Sequence, residues 1–177
     1  DCRMLLPGRK VGFGDLLVKD GKIAEIVLKE TPASVHGGKL VMPGLFNCHG
    51  HTAMTLLRGL GGGLPLQRWL EEAIFPVEAK ISEEDIRAGV VWGAMEMLAG
   101  GTAAVADMYD FPAAGGEVFA ETGMKANICR VGLGFVEGRL ADCVDFTRRW
   151  KPGRWTWRWF STPTTAAATT PPSPTMW

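Results

Sequence analysis

From Lys39 to Trp150 the chain alternates short apolar runs with segments of helical spacing, and this alternation limits its possible folds more than any other feature. Lys39-Leu40-Val41-Met42-Pro43-Gly44-Leu45-Phe46-Asn47-Cys48-His49 reads as a buried strand entered through a turn. Leu66 to Ile74 has the pattern of a short helix, stopped by Pro76. Ser82, with Asp85 three residues on, makes a capping box. The helix it opens keeps Ile86, Val90, Met97 and Leu98 at roughly helical spacing and ends at Gly100-Gly101. Thr102 to Met108 is short, small and apolar, as a buried parallel strand is. Val118 to Thr122 gives a second helix closed by Gly123, Ala126 to Leu133 a third strand, and Arg139 to Trp150 a third helix. A β-α-β-α-β-α order implies an α/β fold, with a parallel sheet and right-handed crossovers.

The first 38 residues have a different character. Asp15 to Lys19 and Lys22 to Val27 are strand-like runs on either side of Asp20-Gly21, a strong two-residue hairpin signal, and Pro32 to Gly38 is a polar link. The pattern breaks again near Lys151. From Phe146 to Trp177 there is no acidic residue, and residues 150–177 hold five of the seven tryptophans along with many Thr and Pro. The expected organisation is therefore a β-rich segment over 1–38, an α/β unit over 39–150 and an aberrant Trp/Thr/Pro-rich tail over 151–177. So abrupt a change of composition is what an out-of-frame translation produces; a Pro/Thr-rich tail is the other reading.

Composition removes several function classes. The 19 basic and 19 acidic residues cancel, which argues against nucleic acid or an anionic membrane as partner. No apolar run reaches the ~18 to 20 residues of a membrane span. The start, Asp1-Cys2-Arg3-Met4, shows no signal peptide, and the absence of Met at position 1 fits a cut N-terminus. Cys2, Cys48, Cys129 and Cys143 are scattered without a C-x-x-C pair, so reduced core thiols and a cytoplasmic location are expected.

Two of the three histidines form His49-x-His51. Residues i and i+2 on a strand point to one face, so both imidazoles converge if His49 ends the first parallel strand. Neutral imidazoles suit one divalent ion, Zn²⁺ or Fe²⁺, and an ion so held lowers the pKa of bound water to roughly 7. Taken alone, an H-x-H pair is more simply a chance occurrence or two surface residues.

The surrounding residues carry more. Pro43-Gly44-Leu45-Phe46-Asn47-Cys48-His49-Gly50-His51-Thr52 resembles the PG-[FLI]-[VI]-[ND]-x-H-x-H signature of the metal-dependent amidohydrolase superfamily. Met54-Thr55-Leu56-Leu57-Arg58-Gly59, Leu64 to Leu70, and Ile74-Phe75-Pro76-Val77-Glu78-Ala79-Lys80 resemble its deaminase and chlorohydrolase branch, and Gly101 to Tyr109 is similar to that branch's second strand. The branch contains the 5′-methylthioadenosine/S-adenosylhomocysteine deaminases and the s-triazine hydrolases, and the likeness runs from about Asp15 to Trp150.

The resemblance implies an N-terminal β-sandwich piece followed by the first three β-α units of a (β/α)8 barrel, the barrel left incomplete. It implies that His49 and His51 end barrel strand 1 as the first two ligands of one zinc or iron ion. Glu78, in the I-x-P-x-E segment, takes the place of a ribose contact, and Arg130 and Arg139 match residues that hold the substrate's distal part. Each has a plainer reading: Glu78 as a helix cap or ion-pair partner, the arginines as solvated. Trp69 either walls the pocket or packs a helix, Asp107 either orients a ligand or makes a loop hydrogen bond, and His36 is exposed. Full-length relatives are implied to be homo-oligomers.

The family pattern also calls for later histidines, an Asp and a proton-shuttling Glu, yet no His follows His51. No catalytic residue is assigned for that reason, and a full barrel needs about 250 residues. The expected lineage is a carbon–nitrogen hydrolase that deaminates an adenosine-type nucleoside or a related aminated heterocycle. The alternatives are an s-triazine amino- or chlorohydrolase and an inactive truncated fragment.

Overall fold

The computed structural model of the chain describes residues 2–30, 40–132, 137–149 and 160–161. It divides into two units, Asp1–Gly44 and Leu45–Trp177. His36, the polar link and nearly all of the 151–177 tail lie outside the described residues.

The first unit is a four-stranded sheet of β1 (Cys2–Leu6), β2 (Lys10–Lys19), β3 (Lys22–Leu28) and β4 (Leu40–Val41), in the order β3-β2-β1-β4. β1-β2 and β2-β3 are antiparallel, whereas β1-β4 is parallel. Asp20 and Gly21 have φ of 52° and 70°. Two positive φ values in a row define the turn whose twist matches that of the paired strands, so this dipeptide sets the β2-β3 register by itself. β2 starts five residues before the expected Asp15, because Lys10 to Gly14 pairs back onto β1. Gly14 (φ 154°) is required where β2 meets β3, since a Cβ there would stand 1.9 Å from the Val27 carbonyl oxygen.

The second unit is α/β. Its sheet consists of β5 (Leu45–Gly50), β6 (Thr102–Met108) and β7 (Lys125–Cys129), all parallel and in chain order. Helices α3 (Glu83–Ala99) and α4 (Pro112–Thr122) are the crossovers. Ser82 and Asp85 form the expected reciprocal cap of α3, and Gly101 (φ 83°) follows its end. Ile86, Val90, Val118 and Phe119 from the helices pack on Val105, Ala126 and Ile128 of the strands. A tight turn, Thr52–Leu57, lies against α3, where Gly89 leaves room that a Cβ would fill at 2.4 Å from the Ala53 carbonyl oxygen.

Four expectations about the strands and helices of this unit need correction. β5 is not buried: Leu45 is 50 % and Phe46 70 % exposed, because the buried core is built on β6 and β7 and includes no residue of β5. Pro76 does not end the helix begun at Leu66. The chain runs through α1 (Leu66–Arg68), a π-wound stretch Trp69–Ile74 and α2 (Phe75–Glu78). The widened turn, with Phe75 N–H donating to the Leu70 carbonyl, accommodates a residue that has no N–H and would clash with a regular turn. α4 starts at Pro112 rather than Val118; Gly115 and Gly116 look like a loop in sequence but are buried in the helix. The third strand breaks at Arg130, leaving β7 and a two-residue β8 (Val131–Gly132).

After α5 (Arg139–Arg149), β9 (Phe160–Ser161) pairs in parallel with β8. Cys129 and Cys143 are buried, while Cys48 is exposed and so departs from the expected core position. Among the described residues no helix is long and apolar enough to cross a membrane.

Candidate functional site

Parallel pairing brings the carboxyl ends of β5 and β6 together, with Gly50 opposite Asp107. Ligands in parallel α/β sheets bind at that end of the strands. A cleft of about 200 Å³ opens here, lined by His51, Trp69, Glu78, Met108, Tyr109 and Asp110 together with apolar neighbours.

His49 and His51 stand edge to face, with ring centroids 4.9 Å apart and planes at 87°. His51 Nδ1 lies 2.6 Å from the Met108 carbonyl oxygen. A carbonyl only accepts, so Nδ1 carries the proton and the Nε2 lone pair is left for a ligand. This is the arrangement that orients a metal-binding imidazole. Asp107 fixes the next residue. Buried to 3 % exposure, it accepts from Thr52 N–H at 2.7 Å and Thr52 Oγ1 at 2.6 Å. Burial pushes its carboxyl above the usual range, and the Thr52 hydrogen bonds pull against that rise. Asp107 therefore makes the loop hydrogen bond.

Glu78, the last residue of α2, reaches the cleft and accepts a hydrogen bond from Tyr109 Oη at 2.6 Å. Burial, followed by the neighbouring Glu78 carboxylate, pushes the Tyr109 phenol well above its ordinary pKa, so it remains a donor at neutral pH. Trp69 both lines the cleft and donates from Nε1 to the Leu60 carbonyl at 2.8 Å. Gly61 (φ 67°) permits that approach, because a Cβ would meet the Trp69 ring at 2.9 Å.

The structure thus brings together His49, His51, Trp69 and Glu78 of the residues singled out from sequence. It does not bring Arg130 to the cleft wall. Its neighbour Val131 lines the cleft, while its guanidinium lies 3.7 Å from Asp142 on α5. Arg139 opens α5. Sequence reasoning passed over Tyr109 and Thr52. Tyr109 was visible as the single tyrosine, placed immediately after a strand that ends at the functional edge.

The donor chemistry fits part of a metal site. Two neutral imidazoles, one already oriented, suit a zinc or iron ion. Among the described residues no third His, Cys, Asp or Glu joins them.

Comparison with known proteins gives the family. The amidohydrolase family model matches residues 40–151. The 5-methylthioadenosine/S-adenosylhomocysteine deaminase of Desulforamulus reducens is 36% identical over 158 residues, covering 81% of this chain and 36% of the relative. The deaminase of the same description from Dictyoglomus turgidum is 45% identical over 116 residues, 63% of this chain and 27% of the relative. The chain spans about a third of the length of these curated relatives. Among solved structures, a zinc-bound adenosine deaminase from Xanthomonas campestris superposes with a TM-score of 0.67 at 29% identity, over 82% of this chain and 37% of that one. A zinc complex of an atrazine chlorohydrolase from Arthrobacter aurescens shares the fold at a TM-score of 0.69 and 17% identity, over 92% and 45%.

Proposed function

Because the chain belongs to the amidohydrolase family, an enzyme family with deaminase-named relatives, we propose that it supplies the metal-binding edge of a hydrolase that removes ammonia from an adenosine-type purine nucleoside. The observation that carries this reading is the histidine pair, with the His51 ring oriented by Met108, beside a cleft that also holds Glu78. In this reading β5, β6 and β7 are the first three strands of a (β/α)8 barrel, and the N-terminal sheet is part of a β-sandwich.

His49 and His51 would hold one zinc or iron ion, which when bound supplies an acidified water for attack on an amidine carbon. The chain's own residues do the rest of what can be assigned. The Met108 carbonyl keeps the proton on His51 Nδ1 and so leaves the Nε2 lone pair for the ion. Glu78 accepts hydrogen bonds from the sugar hydroxyls, and Trp69 and Phe75 exclude water along the cleft. Arg130 and Arg139 are the candidates for holding the substrate's distal end. Glu78 favours a nucleoside over a triazine, which has no sugar to hold.

A second reading follows from the donor count: with two donors among the described residues, the chain binds metal without turnover. Metal content and ammonia release separate the two. The purified chain is incubated with zinc or ferrous ion and offered 5′-methylthioadenosine or an aminotriazine, alongside the variants His49→Ala and His51→Ala. Ammonia from the nucleoside, lost in both variants, establishes the first reading. Ammonia from the triazine alone overturns the nucleoside assignment. Metal binding that needs both histidines, with ammonia from neither substrate, establishes the second reading.

A further inference from the structure

Tyr109 is the chain's single tyrosine, and its hydroxyl joins two elements 31 residues apart by donating to Glu78. Among the described residues no Lys or Arg side chain pairs with Glu78, and the cleft around it is mainly apolar. A carboxylate in such surroundings is satisfied by accepting hydrogen bonds. It offers about four lone-pair directions, of which Tyr109 takes one.

A vicinal diol presents two O–H donors side by side, and a single carboxylate can accept both. An unrestrained glutamate meets that pair in only some rotamers and loses freedom when it does. A glutamate already tied at one oxygen has lost that freedom in advance. The Tyr109 ring is itself seated beside His51, at 6.3 Å between centroids, so the tie is anchored to the same edge as the histidine pair.

We infer that Tyr109 is a positioning residue whose hydroxyl holds the Glu78 carboxylate in the orientation that receives the vicinal hydroxyls of a ribose, and that it thereby sets the preference for ribose over deoxy sugars. The inference rests on the reading of Glu78 as the sugar contact, and the test separates the two.

Equilibrium dialysis of the full chain with adenosine and with 2′,3′-dideoxyadenosine reads the preference directly. The wild type is expected to favour adenosine by about tenfold or more, the range of a hydrogen bond to a charged group. Y109F is expected to lose most of that ratio while keeping its affinity for the dideoxy compound, and E78Q to lose the ratio entirely. If Y109F keeps the wild-type ratio while E78Q loses it, Tyr109 has no positioning role and the Glu78 reading survives. If E78Q keeps the ratio, or the wild type shows none, the Glu78 reading falls and this inference with it. Should Y109F fail to fold, 3-fluorotyrosine at the single tyrosine gives one ¹⁹F resonance in an otherwise unchanged chain. That resonance is expected to move with adenosine and to stay put with the dideoxy compound. A resonance indifferent to bound adenosine overturns the proposal.

Discussion

Within Asp1–Gly44, Met4 is the one large side chain among the described residues that is buried, and all seven residues of β3 are exposed. Within Leu45–Trp177, Phe119, Ile74, Ile86 and Ile128 are buried to 2 % exposure or less. Two regions of one chain thus solve the same problem by different means. The N-terminal sheet is specified by pairing and turn chemistry, with Asp20-Gly21 fixing its hairpin. The α/β unit is specified by burial, with helices laid over one face of a parallel sheet. The contrast teaches that strand register and core packing are separable sources of structure, and that substitutions should separate them too.

Removing bulk from the core should have the largest effect. Phe119→Ala is expected to cost about 3–5 kcal/mol, the usual price of a buried phenylalanine. Ile26→Ala, at a side chain that is 45 % exposed, should stay within about 0.5 kcal/mol. Trp69 and Trp92 lie in the second unit and no tryptophan lies before Leu45, so urea unfolding followed by fluorescence reads the second unit, and amide exchange over 2–28 reads the first. Equal costs would erase the contrast. Next comes Gly89→Ala, which forces a Cβ onto the Ala53 carbonyl and should cost about 1–3 kcal/mol despite the better helix propensity of alanine. A neutral or stabilised variant would show that the Thr52–Leu57 turn yields easily.

Ser82→Ala removes the α3 cap and should cost about 1 kcal/mol by the same fluorescence measurement. The smallest effect belongs to the sheet. Lys29 Nζ, 2.8 Å from Asp15, holds that carboxyl down to about 2. A depressed folded-state pKa contributes stability in full above the ordinary value near ~4, and the contribution fades as pH falls toward 2. Amide exchange in β2 and β3 should therefore quicken modestly over that window, and less so in high salt, because the pair is half exposed. Flat exchange between pH 4 and pH 2 would remove Asp15 from the account.

The features legible in sequence were those written into neighbouring residues. Asp20-Gly21, the Ser82–Asp85 cap and the Gly123 stop depend on residues within a few positions of each other, and each holds in the structure. So does the β-α-β-α-β order from Leu45 to Cys129, and the two histidines stand beside each other as their spacing allows. What escaped depends on distant partners. Gly115 and Gly116 belong to a helix only because α4 packs against α3, and Pro76 is tolerated only because the preceding turn is widened. The bond from Tyr109 to Glu78 joins two segments whose meeting no local pattern announces. The exposure of β5 follows from the helices packing on β6 and β7 instead, which its apolar run does not reveal.

One contact has a genetic consequence. The acceptor that fixes the proton on His51 is the peptide oxygen of Met108, and a peptide oxygen has no codon. Any amino acid at position 108 would carry the same oxygen, so no single substitution there can delete it. Only a shift in how β6 lies beside β5 could move it away. The choice of imidazole tautomer is thus inherited through the pairing of two strands rather than through the identity of a residue, and mutational scanning of position 108 would leave it untouched.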